Sequence, residues 1–114
     1  MMEATWLDLG PITQIEPGMA ATLPVIGGDE IAVFHTMRGE FYALVNKCPH
    51  RQGPLSQGIV HGDSVTCPLH NWRISLKSGQ VLGDDEGCVP TIPLKIDCGR
   101  IYLLRESVVG QKAA

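Results

Sequence analysis

Turn signals carrying glycine recur along this chain at intervals too short for helices of ordinary length: Gly27-Gly28-Asp29, Arg38-Gly39, His61-Gly62-Asp63, Lys77-Ser78-Gly79 and Cys98-Gly99. Each places a residue without a Cβ where a hairpin needs positive φ. Between them, alternation and β-branched content predict strands near 4–8, 19–25, 30–36, 40–46, 58–60, 64–66, 72–76, 80–82, 91–97 and 100–105. The only helix-compatible stretch runs from Gly10 to Pro17, with Pro11 suited to a first turn and Pro17-Gly18 closing it. Hairpins therefore dominate, and the expected fold is a single all-β domain spanning 1–114, a length suited to one modest core.

Composition narrows the functional classes. A hydrophobic content of 44% is enough to offset the entropy of folding, so the chain is globular. Nine basic against twelve acidic residues give a formal net charge of -3, which offers no electrostatic footprint for nucleic acid or anionic lipid. No apolar run approaches the ~18 residues of a membrane span, and Met1-Met2-Glu3 opens without a basic stretch ahead of an apolar one. The expectation is a cytoplasmic protein with neither a membrane nor a nucleic-acid partner. Four cysteines in such a chain, Cys48, Cys67, Cys88 and Cys98, are candidate ligands before they are candidate disulfides.

Two loops carry the chemistry. Cys48 and His50 form C-x-H within NKCPHRQGPL, and Cys67 and His70 form C-x2-H within TCPLHNW. The sixteen residues between His50 and Cys67 read as loop, strand, the His61-Gly62-Asp63 turn and a strand back, so both loops leave the same end of one hairpin. At ~3.4 Å per strand residue their tips can meet without stretching the chain. Each loop then offers one thiolate and one imidazole, and two Cys on one iron with two His on the other is the donor set of a Rieske [2Fe-2S] centre. A core of charge about +2 with two thiolates and two neutral imidazoles sums to about zero, against about -2 for an all-cysteine cluster, so adding an electron costs less. Two Cys and two His also suffice for tetrahedral zinc, which remains the competing reading for a non-redox interaction module. Against zinc, each loop repeats a Cys-then-His order, and no helix is predicted to carry a histidine pair.

The strings C-P-H-R-Q-G-P-L and C-P-L-H-N-W resemble the Rieske domain, and the later G-C-V-P-T-I-P-L-K-I-D-x-G-R-I-Y-L resembles the tail of small subunits of NAD(P)H-dependent nitrite reductase. The likeness runs from Trp6 to Leu104. It implies an antiparallel β-sandwich or barrel with a cluster-binding subdomain, about residues 46–90, inserted between two strands of a basal unit. It also implies a [2Fe-2S] cluster on Cys48, His50, Cys67 and His70, and electron transfer within an assimilatory enzyme that reduces nitrite to ammonia. Flavin and sirohaem would sit on a larger partner subunit, and no catalytic residue is assigned to this chain. The ferredoxin component of a ring-hydroxylating dioxygenase system shares the same motif and size and is the alternative. Respiratory Rieske proteins carry an extra disulfide where Gly53 and Leu69 stand here, and a Ser and a Tyr donor where Trp72 and Ile74 stand. Fewer donors imply a low-potential centre. Electron uptake favours protonated imidazoles, so His50 and His70 are expected near the surface, with a potential that falls at alkaline pH.

The remaining chemistry-bearing residues read as structural. Pro49 and Pro68 stiffen the loops, and Gly53 and Gly58 are read first as turn residues and second as points of close backbone approach. Arg51, Gln52 and Asn71 border the expected cluster, while Trp72 is expected to pack as core. His35, in a strand, and His61, at a turn, are not expected ligands, and Cys88 and Cys98 are expected as free thiols. Asp84, Asp85 and Glu86 form an acidic loop placed by the resemblance beside the cluster, where it would contribute to a docking surface. No G-x-G-x-x-G nicotinamide fingerprint occurs.

Overall fold

The computed structural model describes residues 5–25, 30–47, 54–67, 72–82 and 87–104. Ten strands lie within them: β1 (Trp6–Pro11), β2 (Ala20–Leu23), β3 (Ile31–His35), β4 (Phe41–Val45), β5 (Ile59–His61), β6 (Ser64–Thr66), β7 (Arg73–Ser75), β8 (Thr91–Ile92), β9 (Leu94–Asp97) and β10 (Arg100–Leu104). They form three antiparallel sheets with orders β1-β10-β9, β2-β3-β4-β8 and β5-β6-β7. The third sheet is inserted in the chain between β4 and β8, which pair with each other. This is the inserted arrangement that the resemblance implies.

Strand β3 explains how the layers join. Its run Ile31-Ala32-Val33-Phe34 is buried throughout because both faces are covered. Ala32 and Phe34 face a core shared with Leu44, Leu55, Val65, Ile74 and Leu76, while Ile31 and Val33 face a second core with Ala43, Ile92, Ile101 and Leu103. The first core ties the inserted sheet to the basal strands, and the second closes the basal sheets on each other. Position along β3 thus alternates between holding the inserted sheet and holding the base.

The structure refines several sequence expectations. Residues 80–82 form only isolated bridges, Ile74 to Val81 and Gln80 to Cys88, in place of a strand. The expected strand 91–97 is broken at Pro93, and its halves enter different sheets, since proline supplies no ladder N–H. Gly10 and Pro11 belong to β1, so the helix-compatible stretch shrinks to a 3-10 turn over Ile12–Gln14. A bulge between Asp8 and Gly10 bends β1; Gly10 takes φ +109° and its N–H donates to Asp8 Oδ1 at 2.9 Å. Across the same sheet Arg100 Nε donates to both Asp8 carboxylate oxygens at 3.0 and 3.1 Å. The Arg100 guanidinium and the Gly10 N–H hold the Asp8 carboxyl below its ordinary range, and Asp8 in turn raises Arg100.

Candidate metal centre

The two loops expected to carry the ligands have their bases at one end of the β5-β6-β7 sheet. The first follows β4 from Asn46, and its far side is described from Pro54, which precedes a 3-10 turn over Leu55–Gln57. The second departs from the end of β6 at Cys67 and returns at Trp72. There the Cys67 N–H donates to the Trp72 carbonyl at 2.7 Å, one step beyond the Thr66–Arg73 pair of the ladder. His61 and Ser64 pair at the opposite end, with Gly62 at φ +53° in the two-residue turn between them. The sequence-based expectation that both loops start from the same hairpin end is met at their bases.

Gly58 brings those bases together. Its φ of -81° is open to any residue, so the turn reading of this glycine is set aside. What requires glycine is proximity: a Cβ there would overlap the Thr66 carbonyl oxygen and lie 3.0 Å from Val65 Cγ2 and 3.1 Å from Leu55 O. The exit of the first loop therefore touches the entry of the second backbone to backbone.

Of the four expected ligands, Cys67 lies within the described residues; Cys48, His50 and His70 lie outside them. Cys67 is fully buried and forms no disulfide, at the edge of the core that contains Leu55, Val65 and Ile74. Pro49, Arg51, Gln52, Gly53, Pro68, Asn71, Asp84, Asp85 and Glu86 also lie outside the described residues. Trp72 is half-buried and packs against the same core, as expected. Ile74 is fully buried in that core. Cys88 and Cys98 are exposed free thiols, the latter in the β9–β10 turn at φ +51°. His35 is structural: its Nδ1 lies 2.7 Å from the Ile15 carbonyl and its ring stacks on Phe41 at 4.0 Å.

Sequence reasoning passed over a polar network at the first loop. Asn46, 7% exposed, donates from Nδ2 to Glu30 Oε1 at 2.8 Å and to Ser56 Oγ at 3.0 Å, and its Oδ1 accepts the Ser56 N–H at 2.7 Å. The Asn46 N–H also donates to the Glu30 carbonyl at 2.7 Å. The available signal was an amide closing the apolar run Phe41–Val45, two residues before Cys48; nothing in the sequence marks Glu30. Two clefts, of about 160 and 250 Å³, are lined chiefly by apolar residues such as Leu9, Leu23, Phe41 and Leu76, with no histidine or cysteine among the linings. Among the described residues no helix is long and apolar enough to cross a membrane.

An antiparallel β scaffold that presents two Cys/His loops from adjoining bases defines an iron-sulfur electron-transfer domain. Residues 5–93 match the Rieske [2Fe-2S] domain model, and the chain belongs to that family. It is 32% identical over 111 residues to the ferredoxin component of the naphthalene 1,2-dioxygenase/salicylate 5-hydroxylase systems of a Ralstonia species, covering 92% of this chain and 100% of that one. It is 36% identical over 86 residues to 4beta-methylsterol monooxygenase of Methylococcus capsulatus, covering 67% of this chain but only 23% of that protein. Among solved structures, a chain described as the NADPH nitrite reductase small subunit is 30% identical with a TM-score of 0.75, covering 88% of this chain and 98% of that one. A chain described as the NADH-dependent nitrite reductase small subunit of Mycobacterium tuberculosis is 25% identical with a TM-score of 0.79, covering 91% and 97%. The family's group is a Rieske-type [2Fe-2S] cluster, which displaces the zinc reading, and Rieske proteins are electron carriers of oxidoreductase systems. A fully buried, unbridged Cys67 at the junction of the two loop bases fits that group.

Proposed function

We propose that Cys48, His50, Cys67 and His70 hold the cluster, the two cysteines on one iron and the two histidines on the other, within a single domain covering 1–114. When bound, the cluster takes up and releases single electrons. The protein's own contribution is to hold the loop bases together through Gly58, to bury Cys67, and to keep hydroxyl donors away from positions 72 and 74. Neither cleft has a histidine, cysteine or carboxylate among its lining residues, which supports placing substrate chemistry on a larger partner.

The partner we infer is the flavin and sirohaem subunit of a cytoplasmic, assimilatory nitrite reductase, to which this chain delivers electrons as the small subunit. The observation that carries this reading is the 30% identity to a solved chain so described, together with the Gly87–Leu104 segment that resembles the same group. A second reading, the ferredoxin of a ring-hydroxylating dioxygenase, is favoured by the match to the Ralstonia component over its entire length. Reconstitution decides between them. The reduced protein mixed with a flavin/sirohaem nitrite reductase subunit is expected to support nitrite-dependent oxidation of NADH or NADPH. Turnover with a dioxygenase oxygenase and none with the nitrite reductase subunit would replace the first reading with the second.

A further inference from the structure

We infer that Asn46 is a positioning residue for the cluster: its side chain clasps the two ends of the first ligand loop, and the Glu30 carboxylate fixes the direction in which the clasp faces. The inference rests on the ligand assignment proposed above and goes beyond it, because neither residue is a proposed ligand. Asn46 and Ser56 stand on the two sides of the segment that carries Cys48 and His50; two hydrogen bonds between the Asn46 amide and Ser56 connect the sides, and a third ties the amide to Glu30. The amide has one satisfactory orientation. A carboxylate accepts only, so Glu30 Oε1 must face Nδ2, and a backbone N–H donates only, so Ser56 N must face Oδ1. Both Nδ2 protons are thereby used, in a site where an unmet polar group would be costly.

Glu30 contributes more than one acceptor. Its carbonyl receives the Asn46 N–H at 2.7 Å while its carboxylate receives the side chain at 2.8 Å, so one residue grips Asn46 at two points. The side-chain contact is charge-assisted and therefore among the stronger kinds. A loop whose ends are already joined has fewer conformations to lose when it engages iron, and it releases iron less readily. The second loop has the same device in backbone form, since the Cys67 N–H to Trp72 carbonyl bond closes it at its base.

The test is a hydrogen-bond swap in the full-length, cluster-loaded chain. Asn46→Asp preserves shape and the acceptor toward Ser56, but it removes both donors and sets a carboxylate against Glu30. Bleaching of the visible absorption in excess chelator is expected to run about 10- to 100-fold faster than in the parent. Adding Glu30→Gln restores a donor on the opposite side, and the N46D/E30Q double variant is expected to return to within about threefold of the parent rate. A purely volumetric role for Asn46 would show no such rescue. Glu30→Ala is made at an exposed side chain and serves where N46D does not fold; it is expected to raise the rate about three- to tenfold. Parent-like loss in N46D or in E30A, or a folded double variant no slower than N46D, would overturn the inference. Cys67→Ser separates the underlying reading: if that variant keeps a parent-like amount of iron and sulfide, the ligand assignment fails whatever the clasp variants do.

Discussion

Gly58→Ala probes the contact on which the site geometry depends. The φ of -81° suits alanine, so the substitution adds no backbone strain and isolates the effect of one methyl group. That methyl would overlap the Thr66 carbonyl oxygen, with Val65 Cγ2 at 3.0 Å and Leu55 O at 3.1 Å leaving no direction of easy relief. The 3-10 turn and β6 must separate by something on the order of an ångström, and overpacking of this kind costs about 1–3 kcal/mol. With an unfolding entropy of about 2.1 cal/mol/K per residue, a chain of 114 residues loses about 4 °C of Tm per kcal/mol, so the expected drop is about 4–12 °C. Because the displaced segments are the bases of the two loops proposed to hold the cluster, iron and sulfide content should fall as well. Gly62→Ala is the control: φ is +53° and nothing lies within 4 Å, so it should cost about 1 kcal/mol through strain alone and leave the cluster in place. Calorimetry and iron analysis read both variants. A G58A protein that melts within about 1 °C of the parent and keeps its iron would refute the close-approach reasoning.

Truncating fully buried Ile74 to Ala should cost about 2–5 kcal/mol, read as the free energy of unfolding in urea, because it removes the packing between the inserted sheet and β3. Asp8, whose folded pKa lies below its ordinary value, contributes stability that is present above the unfolded carboxylate range and lost as pH falls through the folded value. Melting curves of Asp8→Asn should therefore converge on the parent at acid pH and separate from it toward neutrality. With Trp72 and Ile74 in place of hydroxyl donors, a redox titration should give a midpoint in the lower part of the roughly -150 to +300 mV Rieske range, and a value near the positive end would contradict the donor-poor account.

The hairpins were legible because their turns are local: Gly39, Gly62, Gly79 and Gly99 all take positive φ in the structure. Pairing partners were not, since the joining of β4 to β8 across the whole inserted sheet depends on contacts distant in sequence. The role of Gly58 was misread in emphasis for the same reason, because the Thr66 carbonyl it must accommodate belongs to another strand. Two Cys/His pairs at characteristic spacing made the proposed donor set legible in the sequence. The clasp behind one pair was hidden, because Asn46, Glu30 and Ser56 meet only after β3 and β4 pair. Chemistry that repeats a motif is visible in a chain read end to end, whereas chemistry assembled from single residues on three segments is not.

The central claim is that this β scaffold holds a Rieske-type [2Fe-2S] cluster on Cys48, His50, Cys67 and His70. The most direct measurement is the iron and acid-labile sulfide content of freshly isolated, full-length protein, taken together with the paramagnetic spectrum of its reduced form. The account predicts about two irons and two sulfides per chain and a Rieske-type signal. Zinc in place of iron, iron without sulfide, or the signal of an all-cysteine cluster would contradict it.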